Sequence, residues 1–251
     1  MQVFFLSKCT FTCVQFHQSS YDGKRTKQPL TEKNGVIPLP TPPIHYTAIG
    51  DSITVGIGAL FNYGFAYQYR DALKKDLQAR IVFQNAGKSG ITSRELLQLL
   101  RKKTELQKAV ASAQVITCSI GGNDLLQASN HFFTRSQEAV FERAFQNFRN
   151  NLEDIHDAIK RIKSDASSPY MIRYLDLYNP FPDMKFAVKW VKRFNGAFDG
   201  LIDKQTAIAP VYAAFLGQET HLLFLDHKHP NMEGHRVIAR AVQQLGYYPI
   251  R

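Results

Sequence analysis

Ser52 stands in Gly50-Asp51-Ser52-Ile53-Thr54, directly after the apolar run Ile44 to Ile49. If the run is a strand and a helix begins after it, the hydroxyl sits at a strand-to-helix turn beside the unpaired N–H groups of a helix start. A serine so placed can attack a carbonyl carbon once a base takes its proton. Asp226-His227-Lys228-His229-Pro230-Asn231, near the other end of the chain, offers that base. Asp226 and His229, three apart across a turn, can point the same way, so that the carboxylate fixes the imidazole tautomer and stabilises the imidazolium. Gly121-Gly122-Asn123-Asp124 places a side-chain amide after another apolar run. Polar, uncharged and fixed in direction, an amide is the donor that a developing oxyanion needs. Asn85-Ala86-Gly87-Lys88-Ser89-Gly90 adds bare backbone N–H groups.

Taken singly, these segments are ordinary turns and helix caps. Position 54 is Thr, so Ser52 does not stand in a G-x-S-x-G elbow. His221, His227, His229, His235 and Asp226 crowd one segment, but without the H-E-x-x-H or paired-cysteine spacing of a zinc site. No metal is expected. Pro230 suits the first turn of a helix, where its missing N–H costs nothing.

Positioning these groups requires a sheet with its loops on one edge. Short apolar runs at Ile44 to Ile49, Ile81 to Gln84, Val115 to Ile120, Met171 to Leu177 and Leu222 to Leu225 alternate with helical stretches. Each run suits a strand buried on both faces. Phe141, Phe145, Phe148, Leu152, Ile155, Ile159 and Ile162 recur at steps of four and three, the apolar stripe of a long helix laid on the sheet. Thr92-Ser93 caps a helix after the second run, and Val237, Ile238, Ala241, Val242 and Leu245 line a last one. The expected fold is a three-layer α/β/α sandwich around a mainly parallel five-stranded sheet, flavodoxin-like, whose ligands bind beyond the carboxyl ends of the strands.

The 251 residues fit one such domain after a leader. Residues 1 to 43 are polar, basic at Lys24-Arg25-Thr26-Lys27 and proline-rich from Pro38, and read as a flexible leader and linker before a domain over 44 to 251. The apolar Val3 to Leu6 lacks the preceding basic residues and following cleavage site of a secretory signal. No stretch is long and apolar enough to span a membrane, which leaves cytoplasmic and cell-surface or spore-associated locations open. Cys9, Cys13 and Cys118 make no disulfide framework, and Cys118 reads as a buried small hydrophobe. The net charge of +10 permits electrostatic contact with an anionic membrane or cell-surface polymer, although the basic clusters read first as ordinary solvated helix faces. The basic residues form scattered clusters rather than a stripe with aromatics, so nucleic acid is not an expected partner. Oligomeric state is not legible.

Together, Gly50-Asp51-Ser52, Asn85 to Gly90, Gly121 to Asp124 and Asp226-x-x-His229 resemble the four blocks of the GDSL/SGNH hydrolases, in the family's order, over residues 44 to 245. Tyr46 to Ile49 and Leu175-Asp176-Leu177-Tyr178-Asn179-Pro180 are similar to bacterial, Bacillus-type GDSL lipases and acylhydrolases, including spore germination lipases. Ile53 replaces the Leu of the family's motif. The resemblance implies a serine esterase or lipase without cofactor, with Ser52, Asp226 and His229 as triad. It also implies an oxyanion hole from the N–H groups of Ser52 and Gly90 and the Asn123 side chain, with Gly87 as the alternative to Gly90. Carboxylic esters, of lipids or other acyl groups, are the expected substrates. The competing reading is a catalytically silent protein on the same scaffold that binds anionic lipid or polymer.

Overall fold

The computed structural model describes residues 42–129 and 137–251, which belong to one compact unit. The expected leader lies almost wholly outside the described residues, as do Cys9 and Cys13.

Five parallel strands form one sheet in the order β2-β1-β3-β4-β5: β1 (Ile44–Gly50), β2 (Ile81–Gly87), β3 (Val115–Ser119), β4 (Met171–Leu175) and β5 (Thr206–Ala209). Alternation along the strands sorts their side chains into two cores, because successive residues face opposite sides of a sheet. Ile49, Ile116, Cys118, Ile172 and Tyr174 pack on one side, and Tyr46, Ala48, Val115, Met171 and Leu175 on the other.

The first core is covered by α3 (Ser93–Lys102), α4 (Thr104–Ser112), α6 (Gln137–Ile162) and α7 (Lys185–Asn195). Phe148, Leu152, Ile155 and Ile159 of α6 are fully buried, as their spacing requires. The second core is covered by α2 (Phe65–Leu77), α8 (Val211–Phe215) and α10 (Met232–Gln244). The short α1 (Ser52–Val55), α5 (Gly122–Ser129) and α9 (Glu219–Leu222), with a 3₁₀ turn at Asp199–Leu201, complete the described elements. Thr92 caps α3, as expected, and the structure adds a reciprocal box with Glu95. No described helix is long and apolar enough to cross a membrane.

Three expectations need correction. Leu222 to Leu225 is not a strand: Leu222 ends α9, Leu223 makes an isolated bridge to Pro230, and Phe224 and Leu225 are exposed. The fifth strand is Thr206–Ala209, whose mixed TAIA sequence gives a weaker apolar signal than the Leu-rich run after it. Pro230 does not enter the last helix either. Asn231 caps it by accepting the Gly234 N–H at 3.0 Å, which leaves the proline one residue outside. Finally, β2 is not buried on both faces: as an edge strand it pairs only with β1, and Val82 is exposed.

The order places β1 between β2 and β3, so the chain departs to opposite sides from neighbouring strand ends and leaves a crevice there. Ser52 follows β1 and Asn123 follows β3. At Gly50, a Cβ would lie 2.1 Å from the Ser119 carbonyl oxygen, and the φ of 131° suits glycine alone. That close approach brings the two strand ends, and the residues they carry, together.

Candidate active site

Asp51 caps α1, its Oδ1 accepting the Ile53 N–H at 3.0 Å. The N–H of Ser52, one residue earlier, has no hydrogen-bond partner among the described residues. Asp51 is held in turn by the Ser119 hydroxyl, which donates to Oδ1 at 2.8 Å and lies 2.7 Å from Thr54 Oγ1. Burial raises the Asp51 pKa to about 6, against the lowering effect of the bonds from Ser119 and Ile53. A carboxyl raised above its unfolded value stabilises the fold at acid pH, and that contribution disappears as pH rises through about 6. Asp51→Asn keeps an acceptor for both donors and removes the buried charge. The variant is expected to exceed the wild type by on the order of 2 kcal/mol in urea unfolding at pH 8. The gap should begin to narrow as pH falls below about 6 and close only below about 4, the unfolded value; a variant less stable at pH 8 would show that the ionised carboxylate supports the fold.

The opposing group comes from the loop between α9 and α10. Phe224 N–H donates to His229 O at 2.7 Å and Asn231 N–H to Leu222 O at 2.8 Å, folding the loop back on itself. His227 closes the turn with a left-handed φ of 54°. Asp226 Oδ1 accepts the N–H groups of Lys228 and His229, each at 3.0 Å, and Oδ2 lies 2.5 Å from His229 Nδ1. His229 Nε2 lies 3.0 Å from Ser52 Oγ. With Nδ1–H donated to the carboxylate, Nε2 carries the lone pair that can accept the Ser52 proton. Partial burial works to raise the Asp226 pKa, but the His229 side chain and the two N–H groups outweigh it and hold the carboxyl at about 2. It therefore stays ionised wherever the imidazole is neutral.

His227, by contrast, is exposed, and its ring makes no hydrogen bond among the described residues. His235 serves the fold: its Nδ1 accepts the Phe65 N–H at 3.1 Å and its Nε2 donates to Ile57 O at 3.0 Å. Burial lowers its pKa to about 4, so it is neutral. No cluster of metal-ligating side chains occurs among the described residues.

Asn123, in the first turn of α5, lines the same cavity as Ser52 and His229. One Nδ2 hydrogen goes to Ile91 O at 2.8 Å, which ties the amide to the loop carrying Gly90 and leaves its second hydrogen for a ligand. Asp124 grips the same loop, accepting both the Ser93 N–H at 2.9 Å and the Ser93 hydroxyl at 2.6 Å. Gly90 is exposed and outside the cavity lining, though its N–H has no partner among the described residues. Gly87 is ruled out as the alternative donor, because its N–H is bound by Asn85 Oδ1 at 3.0 Å.

Sequence reasoning assigned no role to Asp51, Ser119 or Tyr178. The Tyr178 hydroxyl donates to Lys228 O at 2.6 Å, and its ring stacks on Phe215, 4.7 Å between centroids, bracing the His229 loop. Its position just beyond β4, on the edge that carries Ser52 and Asn123, was the available signal. Below these polar groups the cavity extends for about 360 Å³ between walls of Leu125, Phe141, Leu177, Phe186 and Trp190. An apolar chain fits such walls, with a carbonyl left at Ser52.

A family model described as the GDSL-like Lipase/Acylhydrolase family matches residues 48–237. The chain is 34% identical over 206 residues to the spore germination lipase LipC of Bacillus licheniformis, covering 81% of this chain and 97% of that one. Among solved structures, the lipase Lip_vut3 from a goat rumen metagenome is 34% identical with a TM-score of 0.79, over 83% of this chain and 100% of that one. Axe2, an acetylxylan esterase from Geobacillus stearothermophilus, shares the fold at 19% identity and a TM-score of 0.58, over 83% and 96% of the two chains.

Proposed function

The chain belongs to the GDSL-like lipase/acylhydrolase family and is a carboxylic ester hydrolase, and from that premise we propose that it cleaves fatty acyl esters through an acyl-enzyme on Ser52. His229 Nε2 takes the hydroxyl proton as Oγ bonds to the ester carbonyl carbon. The carbonyl oxygen, now an oxyanion, is received by the Ser52 N–H and the free Asn123 amide hydrogen, with the Gly90 N–H, unpartnered among the described residues, as the third donor. Collapse of this intermediate breaks the bond to the alcohol oxygen, which leaves with the proton from His229. Water, deprotonated by the same imidazole, then attacks the acyl-serine; the bond to Oγ breaks, His229 returns the proton to Ser52, and the acid departs. Ionised Asp226 stabilises the imidazolium in both halves.

The observation that carries the fatty acyl reading is the apolar cavity that begins at the Ser52–His229 pair. Each methylene buried there is worth about 0.8 kcal/mol, or roughly fourfold in kcat/KM, until the cavity is full. A series of p-nitrophenyl esters from acetate upward is therefore expected to show kcat/KM climbing through the medium chain lengths. A maximum at acetate, or a preference for acetylated xylose, would contradict it. Asn123→Ala is expected to lower kcat by about 10² to 10³ with KM changed little, because the amide is engaged in the transition state. An equal rise in KM with kcat unchanged would place Asn123 in ground-state binding instead.

A further inference from the structure

Phe61 is 97% exposed, Leu225 84% and Leu60 66%. Single exposed apolar residues are ordinary on protein surfaces, but a cluster beside a cavity marks an interaction site. Leu60 and Phe61 lie on the turn that follows α1, eight and nine residues after Ser52, and Phe224 and Leu225 immediately precede Asp226. The two loops touch: Gly58 is so close that a Cβ there would lie 2.2 Å from Pro230 O and 3.2 Å from Phe224 Cβ. His235 fixes the first loop at both ends, through Ile57 O and the Phe65 N–H. Phe181 and Met184 are exposed and also line the cavity that holds Ser52 and His229, so apolar surface leads from the exterior into it. Lys228, two residues after Asp226, and Lys185, next to Met184, are exposed and make no ion pair among the described residues; Asp183, on the other flank of Met184, is the exposed carboxylate beside them.

Resting on the fatty acyl reading, we infer that this rim docks onto an anionic lipid surface, with Phe61 and Leu225 inserted among the acyl chains and the lysines at headgroup level. Apolar side chains framed by unpaired cations are what an anionic interface binds. A second copy of the chain is disfavoured as occupant, because each carries a net charge of +10. The chain's own N-terminal residues repeat the difficulty, with Lys8, Lys24, Arg25, Lys27 and Lys33 against Asp22 and Glu32. Docked this way, an ester-bearing lipid passes from the aggregate to Ser52 along apolar surface without its tail crossing water.

The test uses full-length Ser52→Ala protein, which cannot turn the lipid over, sedimented with vesicles of phosphatidylcholine alone or mixed with phosphatidylglycerol. Binding is expected to be strong only to the mixed vesicles and to fall at least tenfold on adding Phe61→Asp and Leu225→Asp. With Ser52 restored, the same pair is expected to leave kcat/KM on a soluble short-chain ester within about twofold while lowering hydrolysis of vesicle lipid at least tenfold. The inference is overturned if the pair leaves vesicle binding unchanged, if neutral vesicles bind equally well, or if light scattering shows a dimer that the substitutions dissociate. Vesicle binding lost with the pair, in a protein that hydrolyses no soluble ester, would uphold the docking surface and sink the esterase mechanism, so the two failures are distinct.

Discussion

His229→Ala is expected to lower kcat/KM on any ester by roughly 10⁴ to 10⁶, whereas His227→Ala, two residues away, is expected to change it by less than about threefold. The difference follows from the turn. Asp226 holds His229 by the backbone N–H and by Nδ1, which directs Nε2 at Ser52 Oγ. His227 supplies the left-handed residue that closes the loop, and its ring takes no part in these bonds. Steady-state rates on a soluble ester, with melting curves to confirm that both variants fold, decide between the two. If His227→Ala were inactive and His229→Ala active, the geometry of the loop would have no bearing on catalysis.

Ser52→Ala is expected to lose a comparable factor while retaining substrate affinity, because the apolar walls of the cavity come from Leu125, Phe141, Leu177, Phe186 and Trp190. Removing Oγ also removes the hydrogen bond to His229 Nε2, so the loop gives up one tether, but the Tyr178 bond to Lys228 O and the internal loop bonds remain. Equilibrium binding of a fatty acid product should accordingly change little. A protein that only binds lipid on this scaffold would be indifferent to the substitution in every assay, and a pure variant that still turned over ester would point to another nucleophile.

Four strands, the long helix and the strand-end placement of Ser52 and Asn123 were legible in the sequence, because buried parallel strands concentrate apolar residues and glycine-rich turns interrupt them. The fifth strand was not. Leu222 to Leu225 is more apolar than Thr206–Ala209, yet its residues serve a helix end, a bridge and an exposed rim rather than a ladder. Hydrophobicity over four residues carries no information about which partner, if any, a segment pairs with. The pairing of Asp226 with His229 survived this error, because it depends on the turn between them and not on a preceding strand. Roles that depend on contacts distant in sequence were invisible: Ser119 bracing Asp51, Asp124 gripping Ser93, and Tyr178 bracing Lys228 are separated by 68, 31 and 50 residues.

On the proposed mechanism, Ser52 is a nucleophile made reactive by His229. A fluorophosphonate tests it directly, since the reagent bonds covalently to an activated serine oxygen and releases fluoride, mimicking the acylation step. Peptide mass spectrometry of the labelled wild-type protein is expected to find a single adduct, on Ser52, absent from Ser52→Ala and formed orders of magnitude more slowly in His229→Ala. A label on any other serine, or equal labelling of Ser52 with and without His229, would rule out that role for the pair.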